Sequence, residues 1–206
     1  KSYLHREMDR GCKQTGVKRI RIHDLRHSHI SLLIDMGFTA LAIAERVGHE
    51  SIDITYRYAH LFPTRQAGNM GAEERKEMLF WTREEYTRFS EAMMDKPLSF
   101  YAFEVLYWCG VREGELLALT PADFDFEKRT VTINKSYQRL NKQDVVTTPK
   151  TPKSNRVIQM PQFLCDELQD YLKQLYGVEP DSRMFPISKS YLHREMDRGC
   201  KQTGVK

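Results

Sequence analysis

Moving a phosphoryl group without a metal takes fixed cations around the phosphate, a nucleophile, and an acid for the leaving oxygen. Side chains of those types occur here at separated positions. In Gly110-Val111-Arg112-Glu113-Gly114-Glu115-Leu116 an arginine stands where a helix begins, and free backbone N–H groups and the helix dipole already favour an anion there. His23-Asp24-Leu25-Arg26 sets a second arginine one helical turn from a histidine, so both can face one side. Gly48-His49 leads to Tyr58, which stands nine residues after the histidine. A guanidinium suits a phosphate because its fork donates two hydrogen bonds and keeps its charge. Each residue also has a plainer reading. Arg112 could cap a helix or pair with Glu115, His49 could cap a helix C-terminus, and Tyr56, beside Tyr58, reads as core or interface.

The elements that must position these residues follow from capping signals and periodicity. Thr82 with Glu85 three residues on forms a capping box that opens a helix. A helical pattern runs from Ser99 to Cys109 and breaks at Gly110, and Thr120-Pro121 marks another helix start. Segments 130–134, 144–148 and 156–160 alternate and are β-branched, predicting three short strands, and helical spacing returns from Phe163 to Tyr176. Helices are predicted from Ile22 to Met36, with a stop at Gly37, from Ala40 to Val47 between Thr39 and Gly48, and from Asp53 to His60. The class implied is α+β, mostly helical, with one small three-stranded antiparallel sheet.

Residues 1–18 recur letter for letter as residues 189–206. Overlaying the copies lets Lys206 run on into Arg19, which places the C-terminal half of the chain upstream of the N-terminal half. A single perfect repeat does not fit a solenoid, whose repeats diverge and need about three copies to bury a core. The expectation is one circularly permuted domain. Residues 1–66 would be its C-terminal half, 67–72 a Gly-containing linker joining the natural ends, and 73–206 its N-terminal half. The repeated segment predicts a short helix stopping near Gly199 or Gly204, the counterparts of Gly11 and Gly16.

Taken in the restored order, the chemistry-bearing residues resemble the tyrosine recombinases of the phage integrase family, and in detail the integrases of conjugative transposons. That family's pattern is an arginine in G-x-R-x-x-E-L, a β-hairpin lysine, H-x-x-R, and G-H followed nine residues later by the nucleophilic tyrosine. The resemblance implies a site-specific recombinase that cuts and rejoins double-stranded DNA through a 3′-phosphotyrosine. It makes Tyr58 the nucleophile, has Arg112, Arg26 and His49 hold the non-bridging oxygens, and gives His23 a part in proton transfer or phosphate orientation. The general acid falls to Lys150, since Lys150-Thr151 with Ser154 and Arg156 fits the family's K-T-x-x-S-x-R, with Lys153 as the other candidate. Lys153, Arg156, Arg19 and Arg21 are expected to contact DNA phosphates. No cofactor and no metal are required, because the phosphotyrosine bond conserves the energy of the broken linkage. A non-catalytic DNA-binding module and a type IB topoisomerase-like activity are the alternatives, and a binding module has no need of Tyr58. The family's separate core-binding domain is expected to be missing, so weak, salt-sensitive DNA binding is expected, with self-association of the tetrameric kind the family uses.

His23 and His27 bracket Asp24 in a pattern close to the zinc-peptidase H-E-x-x-H. Aspartate is too short to be its base, however, and Arg26 would sit beside the metal. His27, His29 and His60 have no motif support and default to structural or DNA-facing roles. The net charge of +4 is mildly basic. The sequence has no run of about 18 apolar residues and no signal-peptide pattern, so a bacterial cytoplasmic, DNA-associated protein is expected. Its cysteines suggest neither a disulfide framework nor a zinc ribbon.

Overall fold

A computed structural model describes residues 3–58, 61, 79–141, 143–149, 152–175, 177 and 179–187. The predicted linker 67–72, the second copy of the repeat, His60 and Lys150 lie outside the described residues. The elements run α1 (Tyr3–Thr15), α2 (Asp24–Asp35), α3 (Ala40–Val47), α4 (Ile52–Tyr56), α5 (Arg83–Glu91), α6 (Pro97–Cys109), α7 (Glu113–Ala118), β1 (Phe124–Asp125), β2 (Thr130–Ile133), β3 (Ser136–Leu140), β4 (Gln143–Thr147), β5 (Arg156–Gln159) and α8 (Gln162–Gln174).

The capping signals hold. Thr82 and Glu85 form the predicted box at the start of α5, Thr39 caps α3 through the Ala42 N–H, and α6 and α3 stop at left-handed Gly110 and Gly48. Helix α1 ends at Gly16 and passes through Gly11. Gly11 lies inside the helix because a Cβ there would stand 2.4 Å from the Phe89 ring, so the glycine sets how closely α1 approaches α5.

Three predictions are corrected. Thr120-Pro121 opens only a single 3₁₀ turn, Pro121–Asp123. The expected helix from Asp53 to His60 is cut to α4, after which a turn from the Thr55 carbonyl to the Tyr58 N–H redirects the chain. The sheet differs in membership. The three-stranded antiparallel sheet has the order β1-β2-β5, whereas β4 pairs with β3 in a separate hairpin through left-handed Asn141. Strand β3 reads Ser-Tyr-Gln-Arg-Leu, which carries no β-branched residue and so gives little propensity signal.

The main core draws on both halves of the chain. Leu4, Met8, Ile20 and Leu25 pack in one cluster with Trp81, Phe89, Phe103, Leu116, Val131, Ile158, Leu164 and Phe185. Polar contacts tie α1 to the segment after α5: Arg10 to Asp95 at 2.7 Å and Lys96 to Glu7 at 3.0 Å. A second cluster, Ile30, Leu33, Ile34, Ile43 and Val47, joins α2 to α3 and receives the Tyr58 ring. Cys12, Cys109 and Cys165 are buried and free. Among the described residues no helix is long and apolar enough to cross a membrane.

Candidate active site

Helix α3 has carbonyls to spare at its C-terminal end, as every helix does. The amide groups that follow it turn back onto Ala44 and Glu45, leaving the next three carbonyls. Each receives an arginine. Arg156 Nε donates to Arg46 O at 3.0 Å, Arg26 Nη2 donates to Val47 O, and Arg112 Nη2 reaches Gly48 O at 3.4 Å. The negative end of the helix dipole favours cations at this point. One helix terminus thus gathers guanidinium groups from α2, the start of α7, and β5.

Two further contacts fix their orientation. Arg26, 4% exposed, donates from Nη1 to Gly110 O at 2.7 Å, so the left-handed stop of α6 holds it from the other side. Glu115, buried, takes Arg112 Nη1 at 2.7 Å and Arg156 Nη2 at 2.8 Å. Burial pushes Glu115 up, but Arg156 and Arg112 outweigh it and hold the carboxyl below its ordinary value.

These contacts open onto a cleft of about 460 Å³ lined by His23, Arg26, His27, His49, Arg57, Tyr58 and Arg112, with Glu50 and Ile54. Of the six residues predicted to be catalytic, Tyr58, Arg112, Arg26, His23 and His49 meet here, and Lys150 lies outside the described residues. His49 follows the α3 cap and pairs Nδ1 with Thr55 Oγ1 at 2.8 Å. Burial, then Arg26, Arg112 and Arg156, lower its pKa to about 4. Tyr58 is 5% exposed and its hydroxyl bonds to His27 Nδ1. Burial raises the phenol to about 12 against the pull of Arg26 and Arg57, so at neutral pH it keeps its proton.

The predicted DNA contacts fare differently. Arg156 has a side chain 5% exposed and committed to Glu115, Ser154 O and Arg46 O, which makes it a brace under the cleft. Lys153 is exposed and donates to Glu50 O at 2.9 Å, at the edge of the cleft. Arg21 is 77% exposed and forks onto buried Asp24, while Arg19 pairs with Asp9. Neither arginine lines the cleft.

Sequence reasoning missed His27 and Arg57, and weighed Glu115 only as an alternative partner for Arg112. His27 had a usable signal, since it follows Asp24 by three residues and His23 by four and must share their helix face. Its role as a metal ligand is not what the geometry offers. The His23 and His27 rings meet edge to face at 5.2 Å, and His27 Nδ1 is engaged by Tyr58. His29 is buried and takes Arg46 Nε on Nε2 at 3.1 Å, a structural role.

Residues 1–65 match the phage integrase family. The ICEBs1 integrase of Bacillus subtilis is 42% identical over 67 residues, 32% of this chain and 18% of that protein. The integrase of Salmonella phage P22 is 43% identical over 51 residues, 25% of this chain and 13% of that protein. The chain thus spans less than a fifth of the length of these relatives. A solved structure of the Tn1549 transposon integrase with transposon right end DNA superposes with a TM-score of 0.49 at 14% identity, covering 97% of this chain and 72% of that one.

Proposed function

We propose that this chain is a member of the phage integrase family of tyrosine recombinases, carries the catalytic residues of a site-specific DNA recombinase, and breaks and rejoins DNA through a bond between phosphorus and Tyr58 Oη. The reading is supported above all by the convergence of Tyr58, Arg26, Arg112, His23 and His49 on one cleft. A scissile phosphate in that cleft would accept hydrogen bonds from Arg112, whose side chain is 40% exposed, and from His49. Arg26 lies beneath, its charge held by two backbone carbonyls. Such donors are fixed before the reaction, so they stabilise the charge that builds on the non-bridging oxygens with little reorganisation. The 5′-oxygen leaves with a proton from a lysine, which we assign to Lys150, and religation by a different 5′-hydroxyl completes strand exchange. The motif details favour an integrase of the conjugative-transposon kind acting on chromosomal DNA in the bacterial cytoplasm.

The test is a nicked suicide duplex that traps the covalent intermediate. The wild-type chain is expected to form a protein–DNA adduct and Tyr58→Phe to form none. An adduct that persists in the variant, or maps to Tyr56, overturns the assignment. Binding without any adduct by the wild type would favour a DNA-binding module, and religation only to the original strand would favour a topoisomerase-like role.

A further inference from the structure

The proposed reaction names a nucleophile and an acid, and the resemblance leaves His23 between proton transfer and phosphate orientation; the Tyr58 hydroxyl bonds to a different histidine, His27. Tyr58 lines the cleft but is only 5% exposed. Its ring packs with Ile30, Leu33, Ile43 and Val47, and its hydroxyl is aimed at α2, where it meets His27 Nδ1. The other ring nitrogen of His27, Nε2, lies 3.6 Å from Asp24 Oδ1, beyond hydrogen-bond length, so the carboxylate acts on it through charge. Asp24 is itself fully buried. Arg21 forks onto it through Nη2 at 2.8 Å and Nε at 3.0 Å, and the Arg21 N–H donates to Oδ2 at 2.9 Å. A carboxylate is thereby held behind an imidazole that faces a hydroxyl.

We infer that His27 is the general base of the cleavage step, with Asp24 as the residue that orients it; this rests on Tyr58 being the nucleophile. An Asp24 carboxylate facing Nε2 favours the tautomer with its proton there, which leaves the Nδ1 lone pair for the phenol. As the Tyr58 Oη–P bond forms, the phenolic proton passes to His27 Nδ1, and the P–O5′ bond breaks with its electron pair going to the 5′-oxygen, which takes a proton from the acid lysine. Religation runs the same transfers backwards. The groups facing His27 are Asp24, His23, Arg21 and Arg26, with Tyr58 and, from the end of α3, His49. Burial, then His23, lower the His27 pKa to about 4, so the resting ring is neutral and its Nδ1 carries no proton of its own to block the transfer.

The experiment is single-turnover cleavage of the suicide duplex by the full chain, with binding measured separately. His27→Ala and His27→Asn are expected to cleave about 10²-fold or more slowly, with affinity for the duplex within about 2-fold. Asparagine can still accept a hydrogen bond from Tyr58 but cannot take its proton, so it separates holding from deprotonation. Replacing Tyr58 by a ring-fluorinated tyrosine, whose phenol ionises more readily, should restore much of the rate in His27→Asn and change the wild type little. A substrate with sulfur at the bridging 5′ position should not rescue either variant. Wild-type rates in His27→Asn, or loss that fluorinated tyrosine leaves unchanged, overturn the inference. Absence of an adduct in the wild type would instead remove the reading beneath it.

Discussion

At the scale of single residues, the proton for the leaving oxygen falls to one of two lysines. Lys153 Nζ donates to the Glu50 carbonyl, an attachment that pins the segment before β5 to the loop between α3 and α4. Lys150 is assigned the acid because it fits the motif. Lys150→Ala is therefore expected to slow cleavage of ordinary DNA by about 10²-fold or more, and a bridging 5′-sulfur should restore it, since a thiolate leaves without a proton. Rescue of Lys153→Ala instead moves the role there, and rescue of neither removes both. The sequence made Arg112, His23, Arg26, His49 and Tyr58 visible because each sits in a short motif whose spacing is local. It hid the bond between His27 and Tyr58, which joins positions 31 residues apart. It gave no sign of the brace between Arg156 and Glu115, which joins positions 41 residues apart.

At the scale of elements, the cleft depends on two helix ends and one buried carboxylate. Gly110 ends α6 at φ 61°, and a Cβ there would stand 2.4 Å from the His29 ring. Gly110→Ala should thus cost about 2–5 kcal/mol, combining left-handed strain with overpacking, seen as a lower midpoint in thermal unfolding. Cleavage should fall further than stability explains, because the same residue's carbonyl holds Arg26. Glu115→Gln should cost about 3–5 kcal/mol, the usual range for breaking a buried pair. The pH dependence has a definite sign. The folded carboxyl is held below its ordinary value of 4.5, so its contribution is complete above that pH and is lost as pH falls through the folded value. Denaturant titrations should show a constant gap between wild type and Glu115→Gln from pH 6 to 8 and a shrinking one below about 4.5; a gap independent of pH would show that the carboxylate charge carries none of it. Caps and glycine stops were legible in sequence because they are local. That the carbonyls freed at the end of α3 would each take an arginine was not, since the arginines come from three distant segments.

At the scale of the whole molecule, the mostly helical class was readable from periodicity, and the restored order remains our proposal for how the chain relates to its family. The first copy of the repeat is docked. Leu4 and Met8 are buried with Cys12 and Val17 in the main core, and Arg10 and Glu7 pair with Asp95 and Lys96. Residues 189–206 have the same sequence and follow almost directly on Ile187, a buried residue of the same core cluster. One slot therefore has two chemically identical claimants, one joined at its end to Arg19 and the other at its start to Ser188. Burial of Leu4 and Met8 alone is worth about 1.5–3 kcal/mol each, a reason for a displaced copy to seek the same slot in a second chain. Deleting residues 1–18 or residues 189–206 alone is expected to leave a folded domain, and deleting both to abolish the cooperative thermal transition. Leu4→Asp should be tolerated for the same reason, whereas Leu4→Asp with Leu192→Asp should not. Light scattering of the full chain should show association that rises with concentration and disappears when residues 189–206 are removed. A double deletion that melts like the parent would mean that the repeat fills no structural slot, and the case for reading the chain in its restored order would go with it.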